Sequence, residues 1–285
     1  MKQKIIQFVR STENLEKVID SAIPLVNALD LELNLVMVLE TRNAYYYPMT
    51  STLNTSLETY QFEKMRNDQI KKEKKSFEKV IRKKQKENKN PVISYEIKEG
   101  ATDMILIDMS EDPETYLIMI SESHEPEQGF IINTYLNIVE RASCPILKIP
   151  KNYHLADLKR ILYATDYKEE DISTLTRLAS IAAPFKGIIT ALHITDSVDL
   201  EEKLKSHGFE SSLHDKVGYD RIHFAIREEK NVVRGILEYA EKGEYDLIVL
   251  LKENRNFLQR LFTRSESNRI LSEATIPVMI YHEPT

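Results

Sequence analysis

Arg160-Ile161-Leu162-Tyr163-Ala164-Thr165-Asp166-Tyr167 repeats, 156 positions later, the opening pattern Lys4-Ile5-Ile6-Gln7-Phe8-Val9-Arg10-Ser11. Each stretch leads into a helical pattern. Leu15, Val18/Ile19, Ala22, Val26 and Leu29 share one face in the first, and Ile172, Leu175, Leu178/Ala179 and Ala182 in the second. Steps of three and four apolar residues predict amphipathic helices. At the same offset a second strand follows in each, Leu31–Glu40 and Gly187–Asp196. The chain is therefore an internal repeat.

Toward the ends the copies align again, but at an offset of 132: Arg141-Ala142-Ser143-Cys144-Pro145-Ile146-Leu147 lies over Glu273-Ala274-Thr275-Ile276-Pro277-Val278-Met279. The third strands, Val92–Lys98 and Ile222–Arg227, already sit near that shorter offset. The first copy thus carries 24 extra residues between its second and third strands, in about 41–90. Tyr116–Ile120 and Leu247–Leu251 are continuous apolar runs, the pattern of strands buried on both faces of a parallel sheet. Strands alternating with helices predict two tandem, doubly wound α/β domains of Rossmann-like form, at 1–150 and 157–285, joined by a linker near Pro150–Asp157.

Composition narrows the chemistry. The 285 residues favour two domains, and 42 % hydrophobic content supplies two cores. No apolar run reaches the ~18 residues of a membrane span, and Met1–Gln7 reads as a strand rather than a signal peptide. A single cysteine, Cys144, excludes an internal disulfide framework and fits a reducing, cytoplasmic setting; before Pro145 it is expected to be buried and inert. The only seven glycines are at least eight positions apart, so GxGxxG and the P-loop are impossible. The seven histidines show no HxH or HxxxH spacing, which gives zinc no support, and His193 and His223 are expected as packed strand residues. No serine sits in a nucleophile elbow, so no catalytic residue is assigned and no enzyme is expected.

Charge is uneven. Lys64–Lys89 holds twelve Lys/Arg against four Asp/Glu, within a chain of net charge −6. Phe62, Ile70, Phe77 and Val80/Ile81 share one face of that segment, predicting an amphipathic helix with lysines on its solvent side. Asn43–Leu57, headed by Tyr45-Tyr46-Tyr47-Pro48, reads as a loop. A phosphate-backbone or acidic-partner contact is the alternative reading of the lysines. Against nucleic acid stand the acidic remainder and the lack of aromatics interleaved with the basic residues.

The order of these elements, twice over, resembles the universal stress protein family in its tandem form. The resemblance rests on Ile161–Asp166, on Ala191-Leu192-His193-Ile194-Thr195, and on Tyr245-Asp246-Leu247-Ile248-Val249. It rests also on the closing helix and strand, Arg269-Ile270-Leu271 through Val278, and on Ala142-Ser143-Cys144-Pro145-Ile146. The family implies a cytoplasmic stress-response protein, commonly a dimer, with ATP bound in one branch at the carboxyl ends of strands one and four. That branch carries an Asp after strand one and Gly-x2-Gly-x9-Gly-(Ser/Thr) after strand four. In the second copy the glycine positions fall on Leu251, Asn254 and Arg264, with Ser265 next; in the first, on Met119, Glu122 and Ile132, with Asn133 next and Arg10 in place of the Asp.

The resemblance leaves Thr165, Asp166, Asn254, Arg264 and Ser265 as a vestigial nucleotide site, with Arg255 and Arg260 nearby. Asp166 has two readings, a ligand contact or a cap of the following turn through its own side chain. Ser265 is either a phosphate hydroxyl or a first-turn helix residue. The expected function is a regulatory or interaction role without a bound cofactor; the alternatives are adenine-nucleotide binding by the second domain alone and an acidic or nucleic-acid partner at Lys64–Lys89. The resemblance further implies a pseudo-twofold pair of domains joined through Ile146–Ile149 and Val278–Tyr281, with homodimer formation open.

Overall fold

The computed structural model describes residues 2–40, 56–121, 128–151, 153, 155, 158–252 and 264–282. It divides into two compact units, Met1–Arg141 and Ala142–Thr285.

In the first unit, β1 (Lys4–Val9), β2 (Glu32–Glu40), β3 (Ile93–Gly100) and β4 (Thr115–Ser121) form parallel neighbours in the order β3-β2-β1-β4. Ile5, Ile6, Leu33, Leu35, Leu117 and Ile118 have no exposed surface, because helices cover the sheet. Those helices are α1 (Leu15–Ala28), α2 (Ser56–Glu87), α3 (Thr102–Ser110) and α4 (Gln128–Arg141). α1 buries Leu15, Ile19, Ala22, Leu25 and Val26, as its spacing requires.

The region that holds the extra residues contains α2, 32 residues or about 48 Å of helix. This helix begins at Ser56, inside the stretch read as a loop, and residues 41–55, with Tyr45–Tyr47, lie outside the described residues. Phe77 and Ile81 are fully buried, Phe77 meeting Tyr95 of β3 edge-on at 5.9 Å. Polar bonds finish the seam: Lys83 to Glu16 at 2.8 Å, Lys84 to Asp20 at 2.7 Å, and the Gln85 amide to the Ile93 carbonyl at 2.7 Å.

The second unit has six strands: β5 (Ile146–Ile149), β6 (Arg160–Ala164), β7 (Ile188–Thr195), β8 (Ile222–Glu228), β9 (Leu247–Lys252) and β10 (Val278–His282). Their order is β5-β10-β9-β6-β7-β8. All pairs are parallel except β5 with β10, which run antiparallel with Leu147 opposite Met279. Ile146–Ile149, which the repeat makes the closing strand of the first copy, pairs with Val278–Ile280 as the resemblance implies. The helices are α5 (Glu169–Ala182), α6 (Leu200–Val217), α7 (Val232–Lys242) and α8 (Arg264–Glu273). Buried Lys148 of β5 donates to the Leu271 carbonyl in the last turn of α8, where a cation suits the helix dipole.

Two glycines have clear steric roles. A Cβ on Gly187 would stand 2.3 Å from the Leu158 carbonyl oxygen, and Gly218 ends α6 at φ +64. Cys144 is buried. His193 is buried in β7, but His223 is exposed, correcting the expectation that it is packed. β8 is the last strand of its sheet and lacks a neighbour on one side.

Candidate functional site

In open parallel sheets, ligands bind beyond the carboxyl ends of the strands, where the strand order reverses. In the second unit that point lies between β6 and β9, since β6 leads to β7 on one side and pairs with β9 on the other. The chain leaves β6 through Thr165, Asp166, Tyr167 and Lys168 before entering α5. Tyr167 sits in the left-handed region at φ 63, so the turn is sharp and the ring is thrown back over β7.

The organising group is Asp171, a carboxylate with 3 % exposure in the first turn of α5. It accepts four hydrogen bonds. The Tyr163 phenol donates at 2.6 Å, the Thr165 hydroxyl at 2.8 Å, and the Asp166 and Lys168 backbone N–H groups at 3.1 Å each. A buried carboxylate is tolerated only when so satisfied, and its place at a helix N-terminus adds dipole support. Burial pushes the Tyr163 phenol well above its ordinary range, and the Asp171 charge adds to the shift.

Asp171, not Asp166, therefore caps the turn. The Asp166 side chain keeps 29 % of its surface and stands 3.6 Å from the Lys168 ammonium. Burial raises its carboxyl above the usual range, with Lys168 opposing. Thr165 is buried, and its hydroxyl also accepts from the Tyr167 N–H at 3.2 Å.

Beside this network lies an aromatic cluster. Tyr167 stacks on His193 and packs against Phe209 of α6 and Phe224 of β8 at 5.4 and 5.6 Å. Burial is the main cause that raises the Tyr167 phenol, followed by its hydrogen bond to Glu202 of α6. His193 Nδ1 lies 2.9 Å from the Thr165 carbonyl oxygen; a carbonyl only accepts, so this nitrogen carries the proton. Its Nε2 is 3.5 Å from Glu202.

The other side of the switch point is reached by β9, whose Leu251 and Lys252 are half-buried. Asn254, Arg255 and Arg260 lie outside the described residues, and so do the side chains of Arg264 and Ser265, which open α8. In the first unit Gln7 stands where Tyr163 does and Leu15 where Asp171 does, so the carboxylate network has no counterpart. Fully buried Gln7 instead donates to the Phe8 carbonyl at 2.9 Å and to Ser121 at 3.4 Å. Met119, on the first glycine position of that copy, is fully buried in β4. Among the described residues no group of three or more His, Cys, Asp and Glu is placed to hold a metal ion, and no helix is long and apolar enough to cross a membrane.

Sequence comparison fits this geometry. The family model of the universal stress protein family matches residues 157–282. Over those residues the chain resembles the universal stress protein family. A curated universal stress protein from Methanocaldococcus jannaschii is 24 % identical over 143 residues, covering 44 % of this chain and 83 % of that protein. Solved structures extend the likeness of fold over both halves. A universal stress protein from Archaeoglobus fulgidus covers 98 % of this chain and 96 % of its own, with TM-score 0.63 and 11 % identity. A putative universal stress protein from Pseudomonas aeruginosa covers 99 % and 94 %, with TM-score 0.62 and 12 % identity. The cytoplasmic domain of a prokaryotic cation chloride cotransporter also covers 100 % and 97 %, at TM-score 0.56 and 8 % identity. One fold thus serves differently named proteins, and function has to be argued from the site. In the second unit, sequence reading missed Tyr163, Asp171 and the Tyr167–His193–Glu202 set. The only sequence signal was an acid three residues after the N-cap position Lys168, as in a capping box.

Proposed function

We propose that the chain is a non-catalytic regulatory module of the cytoplasmic stress response, acting through contacts with other molecules rather than through a bound nucleotide. The observation that carries this reading is the carboxyl end of β6, where the chain's own groups use one another. Asp171 absorbs the donors of the turn, and Tyr167 covers His193. A ligand arriving there has to displace a ring already packed on three neighbours. The substitution of Leu251, Asn254 and Arg264 for glycine in the second half supports the same reading, as do Arg10 and Met119 in the first. A phosphate cradle of bare backbone needs residues without a Cβ, and neither copy supplies glycine at those cradle positions.

A thermal-shift panel of ATP, ADP, AMP and cyclic AMP at millimolar concentration tests it. A ligand at 100 times its Kd adds about 2.7 kcal/mol to stability. The expected result is an unchanged melting temperature throughout the panel, and a reproducible rise with any nucleotide overturns the proposal. A second reading, nucleotide binding by the second unit alone, is favoured by one observation: the Asp166 carboxylate keeps partial solvent access at the strand end. A rise that disappears in Asp166→Ala would establish it.

A further inference from the structure

Two sets stand out among the lysines of α2. Lys74, Lys83 and Lys84 turn toward the first unit and pair with Glu99, Glu16 and Asp20. Lys71, Lys75, Lys79 and Lys86 are exposed and form no ion pair among the described residues. Their spacing of four, four and seven puts them along one side of the helix, opposite buried Phe77 and Ile81. From Lys71 to Lys86 the row is about 22 Å long. Arg82 lies on the same side and is held 3.7 Å from Glu78.

We infer that this outward face of α2 docks on the phosphate backbone of duplex nucleic acid, without reading sequence. Three properties select that partner. Specific protein interfaces are anchored by aromatic and arginine residues and depleted in lysine, whereas this row is almost all lysine and lacks an apolar anchor. Helices that lie on membranes bury an apolar face in the lipid, but the apolar residues Phe77 and Ile81 are already covered by the protein. What remains is a straight line of mobile point charges, suited to a lattice bearing one negative charge per about 1.7 Å of axis. Aromatic stacking platforms serve single strands, so their absence does not count against a duplex.

The acidic remainder of the chain does not forbid the contact. A helix with its side chains is about 10–12 Å across, while charges are screened over about 8 Å at physiological ionic strength. The outward lysines therefore stand roughly one screening length from the body beneath. Four released counterions give a slope of log affinity against log salt of about −3.6, or roughly a hundredfold loss between 50 and 200 mM salt.

The test is fluorescence anisotropy of a labelled 30-base-pair duplex of arbitrary sequence, titrated with the full chain at 50, 100 and 200 mM potassium chloride. Binding with that slope is expected, together with its loss when Lys71, Lys75, Lys79 and Lys86 are all changed to Gln or all to Glu. The Gln set guards against misfolding caused by added acid, and circular dichroism of both sets checks the fold. A control set with the same charge change elsewhere, Lys203→Glu, Lys205→Glu, Lys216→Glu and Lys230→Glu, should bind like the parent chain. The inference is overturned by absence of binding at 50 mM salt, or by equal loss in the control set. Binding to phosphatidylserine vesicles without binding to duplex also overturns it. None of these outcomes depends on whether a nucleotide binds the second unit.

Discussion

Tyr167 lies nearly flat on His193, ring centroids 4.1 Å apart and planes inclined by 26°, while its phenol donates to Glu202 at 2.6 Å. The two rings come from different elements, the turn after β6 and the middle of β7, and Glu202 comes from a third, the first turn of α6. One side chain thus ties three segments together at the end of the sheet where a ligand would approach.

Tyr167→Phe keeps the stack and deletes the donor. Glu202 then loses a partner that is half-buried with it, and a loss of about 1 kcal/mol in unfolding free energy is expected. Urea denaturation of both proteins measures it, and equal midpoints would show that the phenol bond contributes nothing.

Asp171→Asn is expected to be more damaging. The carboxylate receives four donors, and an amide places two hydrogens of its own among them. The cost should be about 2–4 kcal/mol, in the range for disrupting a buried charged network. Asp171→Ala, which removes the clash but strands the donors, should fall in the same range. A variant as stable as the parent chain refutes the claim that Asp171 organises the turn.

Asp166 sets a pH dependence of definite sign. Its carboxyl is raised by burial, so the folded chain holds that proton more tightly than the unfolded chain does. Such a group contributes stability that is full below the ordinary aspartate range and is lost as pH rises through the raised value. Asp166→Asn should therefore raise the urea midpoint at pH 7, with the gain shrinking to nothing near about pH 3, below the ordinary aspartate value. A difference that is constant from acid to neutral pH would contradict the burial argument.

Phe77→Ala opens a cavity under α2. Phe77 is fully buried against Tyr95, and removing such a ring costs about 3–5 kcal/mol. Because exposed lysines line this helix, trypsin provides a direct readout: cleavage within residues 71–86 should speed up before the second unit is cut. Unchanged cleavage would mean that other contacts suffice to hold the helix.

Much of the architecture was legible in the sequence because period and composition speak for it. The doubled run at Lys4 and Arg160, the continuous apolar strands at Tyr116 and Leu247, and the helical stripes of α1 and α5 follow from the repeat and from local apolar patterning. The site was less legible. Thr165 and Asp166 could be placed at the end of β6, but the importance of Asp171 depends on Tyr163 pointing into it from the strand. Tyr167 reaches His193, Phe209 and Phe224 only because its backbone turns left-handed, which no spacing rule announces for a tyrosine. His223 looked packed because it lies in a strand, but that strand is the last of its sheet and His223 is exposed. The pairing of Ile146–Ile149 with Val278–Tyr281 was legible too, through the family resemblance rather than through any spacing rule.

That last pairing governs how the protein can be divided. A fragment begun at residue 157, where the family match starts, would carry β10 without the strand that covers its outer edge. Unpaired edges of this kind recruit other chains. Such a fragment is expected to aggregate or to pair with its own copies through β10, which size-exclusion chromatography would show. Any swap of halves between relatives must therefore supply, for each incoming Val278–His282, a strand able to take the antiparallel place of Ile146–Ile149.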